Sequence, residues 1–267
     1  MGQSSVVERI EVEPHSLFYQ EHVARYRFAG AHVQQGWTLD IACGSGYGSD
    51  MLTQYGAARI AAADVDLPAL NQARTTFDDR RINFLASSGT RLPFRNDCFH
   101  NIVSLETIEH IQDDLGFLRE LARVLRVDGV CLLSTPNRDY SVRRRQANPY
   151  HVREYAEDEW RQLLSQHFAQ VEMYYQGFSQ RHSNQVHQYA AAIQNRKRSL
   201  NPILRFGIDY CYRPVKRLIP ARLVNTSIRR WLGLSYPQPE TSDITISPEP
   251  IDDMSVFVAV CRKPAAA

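Results

Sequence analysis

Residues 38–49, with the sequence TLDIACGSGYGS, place an acidic side chain four positions ahead of a glycine-rich turn. The residues that precede Gly44 have the composition of a short β-strand, and a helix can begin at Tyr47. Glycine lets a backbone turn sharply and approach a ligand closely, and the helix after the turn offers unpaired N–H groups. The turn is therefore predicted to contact a ligand.

Asp40 and the spacing of the glycines narrow the choice of ligand. A dinucleotide-binding fingerprint reads G-x-G-x-x-G and cradles a pyrophosphate, whereas this turn reads G-x-G-x-G. The Asp40 carboxylate would repel a pyrophosphate but attracts an ammonium group, directly or through water. S-adenosylmethionine (SAM) carries that ammonium and no phosphate, so the turn predicts a SAM site. A tight turn that binds no ligand is the alternative.

Strands that alternate with helical segments predict an α/β fold, a doubly wound, seven-stranded Rossmann-like sheet. Strands are expected at residues 38–42, 59–65, 82–86, 100–105, 130–134, 171–175 and 255–262, and helices at 17–33, 47–55, 67–76, 114–126 and 157–168. Asp64 lies at the end of the second strand, where a carboxylate beside the cofactor ribose can accept hydrogen bonds from both ribose hydroxyls. About 80 residues separate the last two strands, and since a hairpin needs only a few, they form an insertion.

Six segments of the chain resemble the class I SAM-dependent methyltransferases, and among these the bacterial type 11-like branch associated with cell-surface polysaccharides and glycans. They are EHVARYRFA (21–29), DIACGSGYGS (40–49), SLETIEHI (104–111), FLRELARVLRVDG (117–129), LLSTPNRDYS (132–141) and NPYHVREY (148–155). The resemblance implies a SAM-dependent O-methyltransferase that acts on a hydroxyl of a sugar or glycan-type acceptor. O- or N-methylation of another small metabolite, and a SAM-binding component of a glycan-assembly complex without transfer activity, are the open alternatives.

The resemblance also implies cofactor contacts. The expected cofactor-binding residues are Arg25, Asp40, Ala42, Gly44, Gly46, Tyr47, Asp64, Val65, Ser88, Gly89 and Leu105. Arg25 looks like the basic residue that related O-methyltransferases direct from an N-terminal helix to the SAM carboxylate, with a solvated arginine as the alternative; His22 and Tyr26 would then line the lid. Ser88 stands where the superfamily commonly has Asp. A hydroxyl accepts the bond from the adenine amine without charge assistance, which predicts modest cofactor affinity.

Methyl transfer to an alcohol requires that the protein align the acceptor and remove its proton. The turn after the fourth strand is expected over the methyl group, which makes Glu109 and His110 the leading base candidates. His110 comes first because the ordinary pKa of histidine lies near the operating pH. His151, in the loop after the fifth strand, is the alternative base. The competing interpretation is that these side chains cap a helix or hold the loop. No metal ligands are predicted.

A chain of 267 residues with 43% hydrophobic content suits a single methyltransferase domain with an elaboration. Its expected parts are an N-terminal helical lid at 1–36, a core at 37–180, a helical basic insertion at 181–253 and the last strand at 254–263. Five cysteines without a C-x-x-C pair indicate a reducing cytosol and no structural zinc. No apolar run approaches the length of a membrane span, so a cytoplasmic location is expected.

The insertion has an uneven charge, because residues 195–230 carry ten Lys and Arg against the single acid Asp209, although the whole chain has a net charge of +2. Prolines are expected to divide it into short helices. Three interpretations stay open: an apolar face packed on the sheet, contact with the inner membrane face or a lipid-linked glycan, and nucleic-acid binding. Nucleic acid is the least favoured, because no aromatic RNA-binding motif accompanies the charges. The oligomeric state and the acceptor are not predicted.

Overall fold

The computed structural model describes residues 17–144, 148–198 and 240–263. The chain divides into two compact units, one of residues 1–177 and 244–267 and the other of residues 178–243. The helices are α1 Leu17–His32, α2 Tyr47–Gln54, α3 Leu67–Thr76, α4 Asp114–Val124, α5 Arg138–Arg144, α6 Glu157–Ser165 and α7 Gln180–Arg198. The strands are β1 Trp37–Ile41, β2 Arg59–Asp64, β3 Ile82–Ala86, β4 Phe99–Leu105, β5 Leu125–Pro136, β6 Gln170–Phe178, β7 Ile244–Ser247 and β8 Val256–Arg262.

The strands form one sheet in the order β3-β2-β1-β4-β5-β8-β6-β7. Strands β1 to β5 pair in parallel, and β8 runs antiparallel between β5 and β6. The predicted doubly wound α/β sheet is confirmed. The predicted strand count of seven is wrong, because Ile244–Ser247, which was expected within the insertion, forms a further edge strand.

Helices cover both faces of the sheet. On one face, the apolar side of α4 and Trp160 of α6 join a core with Leu39 and Ile102, all fully buried. On the other face, side chains of α1, α2 and α3 pack on Ile60, Val103 and Leu132. The central strands are buried on both faces, as expected for a parallel sheet. Their carboxyl ends therefore open at one edge, where the loops after β1, β2 and β4 meet.

Helix α4 ends at Val124, two residues before its predicted end, because β5 begins at Leu125. Leu125 has an extended backbone and is fully buried. Its packing in the sheet therefore overrides the helical spacing of the sequence, which would extend α4 past Val124. Helix α6 likewise ends at Ser165 rather than at residue 168. Helix α3 has its predicted bounds; the Asp66 side chain accepts the backbone N–H of Ala69 and caps its first turn.

The second unit contains, among its described residues, α7 and a 3-10 helix at Thr241–Asp243. Asp243 is buried there and accepts hydrogen bonds from Ser179 Oγ at 2.9 Å and Arg181 Nε at 3.0 Å. The basic segment 195–230 lies outside the described residues from position 199 onward. Among the helices that the structure describes, none combines the length and the apolar character that a membrane crossing requires.

Candidate cofactor and acceptor site

The turn after β1 combines left-handed backbone with open space. Gly44 and Gly46 have φ angles of 52° and 83°, and Ala42 adopts the same region at 62°. A Cβ atom on Gly46 would collide with Phe84 and Ala73, whereas one on Gly44 would meet no atom of the described residues within 4 Å. Gly44 therefore faces a space that a ligand can enter. The Gly44 N–H donates to Asp64 Oδ2 at 2.8 Å, which joins the first two carboxyl ends of the sheet.

Asp40 is fully buried, and both of its oxygens accept hydrogen bonds. Tyr26 of α1 donates to Oδ1 at 3.1 Å, and Ser49 of α2 donates to Oδ2 at 2.6 Å. Burial raises the pKa of Asp40 to about 6, although the two hydroxyls oppose the shift. Gly48 leaves room for this arrangement, because a Cβ atom there would overlap the Tyr26 ring. Asp40 thus connects α1 to the turn through these two hydrogen bonds. Ser49 takes part in this connection and was not among the residues predicted from the sequence.

Asp64 lies at the end of β2 with its side chain held by backbone donors. Its Oδ1 accepts the Asp66 N–H at 2.8 Å, while Oδ2 receives the Gly44 bond. A carboxylate has about four acceptor positions, so both oxygens keep capacity for the hydroxyls of a ribose. Val65 beside it is an apolar side chain with 63% exposure. Exposed apolar surface at this edge suits an adenine ring.

Ser88 and Gly89 follow β3, whose last residue Ala86 pairs with Asp64. The register therefore brings these two predicted positions to the Asp64 edge. Ser88 Oγ lies 2.9 Å from Thr90 Oγ1 and accepts the Thr90 N–H at 3.3 Å. Gly89 is required by packing, because a Cβ atom there would press on the ring of Phe117.

Arg25 on α1 is 2% exposed, which excludes the solvated arginine. Its Nε and Nη1 have no hydrogen-bond partner among the described residues. A buried guanidinium without a partner is costly and calls for an anionic group. Burial raises the pKa of Tyr47, a further predicted cofactor residue, and the nearby Arg25 charge opposes this rise. Arg25, the space at Gly44 and the Asp64 carboxylate fit the carboxylate, the amino-acid chain and the ribose of SAM.

The turn after β4 begins at Leu105, which is buried, and continues with Glu106 in the left-handed region at φ 51°. The Glu106 N–H donates to the Ser134 carbonyl at 3.2 Å, and Ser134 Oγ donates to Glu106 Oε1 at 2.8 Å. These bonds tie the turn to β5. A non-glycine residue in this backbone region stores strain that the surrounding structure must hold, as is common at functional sites.

Glu109 is fully buried in the 3-10 helix Ile108–His110. Its Oε2 accepts the Thr135 hydroxyl at 3.1 Å, and its Oε1 has no partner in the described part of the chain. Burial, followed by the charge of Glu106, raises the pKa of Glu109 well above its ordinary value. Burial therefore disfavours the ionised carboxylate of Glu109.

His110 and His151 lie side by side, with ring centroids 4.9 Å apart. His110 is exposed, and its Nδ1 lies 3.1 Å from the carbonyl oxygen of Tyr150. His151 Nδ1 lies 2.6 Å from Glu154 Oε1, and its Nε2 lies 2.9 Å from Asn148 Nδ2. The structure thus brings His151, which is distant along the chain, against the turn that carries the first two base candidates.

Glu21 and Gln176 are polar residues that the sequence analysis missed. Gln176 of β6 is fully buried, and its Nε2 donates to Glu21 Oε1 at 3.4 Å. Gln176 Oε1 has no partner among the described residues. Burial raises the pKa of Glu21 to about 7, while the charge of Arg25 opposes the shift. Glu21 precedes Arg25 by four residues and therefore lies on the same face of α1. This spacing is the feature of the sequence from which the position of Glu21 could have been predicted.

Residues 39–133 match the family model described as a methyltransferase domain. A probable S-adenosylmethionine-dependent methyltransferase of Mycobacterium tuberculosis is 31% identical over 156 residues, which are 58% of this chain and 56% of that protein. A ubiquinone biosynthesis O-methyltransferase of Parvibaculum lavamentivorans is 30% identical over 102 residues, 38% of this chain and 40% of that protein. The chain thus spans about half the length of these relatives.

Among solved structures, the YcgJ protein of Bacillus subtilis superposes with a TM-score of 0.53 and 16% identity, over 91% of this chain and 100% of that chain. At this identity the likeness supports the fold alone. The strand order, the turn after β1 and the matched sequence all agree with a methyltransferase domain. Residues 39–133 therefore carry a methyltransferase domain, and the cofactor of this domain is SAM.

Proposed function

We propose that this chain transfers a methyl group from SAM to a hydroxyl of a sugar or glycan-type acceptor. The observation that carries the proposal is the polar, buried surroundings of the turn after β4. Glu109 Oε1 in this turn lacks a partner within the described residues, as does Gln176 Oε1, which lies beside Glu21 and so within range of Glu106. A polyhydroxyl acceptor would supply donors for both.

Bound SAM supplies a methyl group on a positively charged sulfur. The chain must place the acceptor oxygen in line with that carbon and exclude water. Helix α1 carries the buried residues His22 and Tyr26, and Tyr26 donates to Asp40 at this edge. The acceptor hydroxyl would give its proton to a side chain as its oxygen bonds to the methyl carbon, while the carbon–sulfur bond breaks and S-adenosylhomocysteine leaves. The Tyr150 carbonyl favours a proton on His110 Nδ1, so Nε2 is the basic atom of that ring.

A small metabolite other than a sugar is the second candidate acceptor. It is favoured by the similarity to a relative named for ubiquinone biosynthesis O-methylation. A cytoplasmic protein that touches the membrane or a lipid-linked glycan through residues 195–230 is compatible with either acceptor. That part of the proposal rests on the charge of the segment alone.

The test is formation of S-adenosylhomocysteine with a panel of acceptors: methyl glycosides, a catechol and a primary amine, with mass spectrometry of each product. Methylation of a glycoside hydroxyl above the rate with an Asp64→Ala protein is the expected result. Methylation of the catechol or the amine alone would replace the sugar proposal with the second candidate. A chain that binds SAM and methylates none of the panel would contradict the proposed activity.

A further inference from the structure

From the geometry of the β4 turn we infer that Glu109, His110 and His151 form a binding site for a divalent transition-metal cation at the acceptor side of the domain. Each residue offers one ligand atom, and these atoms all lie within 4.8 Å of one another. Ligand atoms about 2.1 Å from one cation lie roughly 3–4 Å apart, so a small side-chain movement closes the site.

The two histidines have the hydrogen bonds that metal-binding imidazoles usually make. Such a ring donates its other N–H to a carboxylate or a carbonyl, which orients the ligand nitrogen. His110 Nδ1 lies against the Tyr150 carbonyl, and His151 Nδ1 lies against Glu154 Oε1. Both acceptors place the ring proton on Nδ1, so Nε2 is the nitrogen with the lone pair in each ring.

Asn148 supports the same tautomer of His151. The Asn148 side-chain oxygen accepts the Tyr150 N–H at 3.0 Å, so its amide nitrogen faces His151 Nε2 as a donor. Nε2 must therefore be an acceptor in the cation-free chain. A cation takes over that lone pair, and Asn148 gives up one hydrogen bond when it binds.

Glu109 supplies the carboxylate. Thr135 holds its Oε2, and the buried Oε1 lacks a partner within the described residues, an arrangement that is costly without a ligand. The loop that carries His151 is fixed to the same residue, because the Val152 N–H donates to the Glu109 carbonyl at 2.7 Å and the Arg153 N–H does so at 3.2 Å. The three side chains are thus held together by backbone bonds before any cation binds.

Two imidazoles and one carboxylate suit zinc, manganese, iron or cobalt and leave coordination positions for water or an acceptor oxygen. A cation there would occupy the lone pair of His110 Nε2 and lower the pKa of a coordinated hydroxyl, so in the cation-bound chain the acceptor proton would pass to water and not to His110. No metal ligands were predicted from the sequence. Coordination of an acceptor hydroxyl rests on the proposed function. Binding of the cation itself depends only on the three side chains.

The test is titration of the full, chelator-treated chain with Co²⁺, followed by visible absorption, and with Zn²⁺, followed by calorimetry. One equivalent should bind, and Glu109→Gln and His151→Ala should each weaken binding by at least about ten-fold. The control His32→Ala removes a ring whose Nδ1 faces the Phe28 carbonyl in the same way, and it should leave the affinity unchanged. SAM affinity within about two-fold of wild type shows that each variant is folded.

If Glu109→Gln fails to fold, His110→Ala, at an exposed position, provides the same comparison. Absence of binding to the wild-type chain, or binding that these variants leave unchanged, overturns the inference. The contact between the rings of His110 and His151 would then serve only to hold the loop. Metal binding without methylation of any acceptor contradicts the proposed function alone. Methylation that persists at full rate in a chain freed of metal contradicts a role of the cation in transfer, whereas the titration decides the site itself.

Discussion

Replacing Asp40 by Asn should stabilise the folded chain at neutral pH while weakening SAM binding. Asp40 is fully buried, and burial raises its pKa to about 6, against 3.8 for the ordinary group. The folded chain therefore holds a proton that the unfolded chain has released between these two values. Stability from this group is complete below pH 3.8 and is lost as the pH rises through 6.

The size of the effect follows from the shift. One pKa unit corresponds to about 1.4 kcal/mol, so a shift of about two units gives roughly 3 kcal/mol at about pH 7.5. An asparagine side chain cannot ionise, and it keeps the shape of the aspartate. The Ser49 hydroxyl can rotate to accept a hydrogen bond from the new amide, so its contact with position 40 can be kept. Imperfect hydrogen bonds will offset part of the gain, which leaves an expected increase of about 1–3 kcal/mol in the free energy of unfolding.

Urea unfolding of wild-type and Asp40→Asn chains from about pH 4.5 to about pH 7.5 measures this difference directly. Because other buried acids are common to both proteins, the difference in the free energy of unfolding isolates Asp40. It should be small at the acidic end of the range and grow with pH. Calorimetry should show weaker SAM binding by the variant at the neutral end. A difference that stays constant with pH would refute the reasoning about the Asp40 proton.

Four further substitutions test the site. Asp64→Ala should weaken SAM binding by about 1.5–3 kcal/mol in calorimetry, because the ribose loses charge-assisted bonds; unchanged affinity in a folded protein would exclude the ribose position. Ser88→Asp should tighten SAM binding, since a charged acceptor bonds the adenine amine more strongly, and weaker binding would show that serine is matched to its surroundings. Ala42→Gly should raise the free energy of unfolding by about 0.5–1 kcal/mol in urea, because glycine adopts φ 62° without Cβ strain; a decrease contradicts strain at this turn. His110→Ala should lower turnover on an acceptor found in the panel by about 100-fold, with SAM affinity retained, and near-normal turnover would move the base to another residue.

The fold around the glycine turn was predictable because its signals are local in sequence. A buried strand, the glycine turn and Asp64 occupy neighbouring segments, and parallel strands bring their ends together. Glu21 and Gln176 meet across 155 positions, and no local pattern indicates that contact. The pairing of His110 with His151 depends in the same way on the loop after α5.

The edge strand β7 was missed for a different reason. Its sequence, ITIS, is short and is followed by Pro248 and Pro250, which favour a linker when local propensity alone is considered. An edge strand needs a partner on one side only, so prolines just beyond its end are tolerated. Tertiary pairing beside β6 then decides the conformation of four residues.

The buried acids of this site are best understood as groups whose cost in the free chain serves ligand binding. Asp40 and Glu109 are fully buried and Glu21 is partly buried, and burial raises the pKa of each. A core optimised for stability alone would replace them with apolar side chains of similar size. Arg25 is the converse case, a buried cation with two donors unpaired within the described residues. SAM carries an ammonium and a carboxylate, so one molecule offers both kinds of counter-charge. In the proposed site the same residues lower the stability of the empty domain and favour its ligands, so gains in stability at this edge are expected to reduce binding.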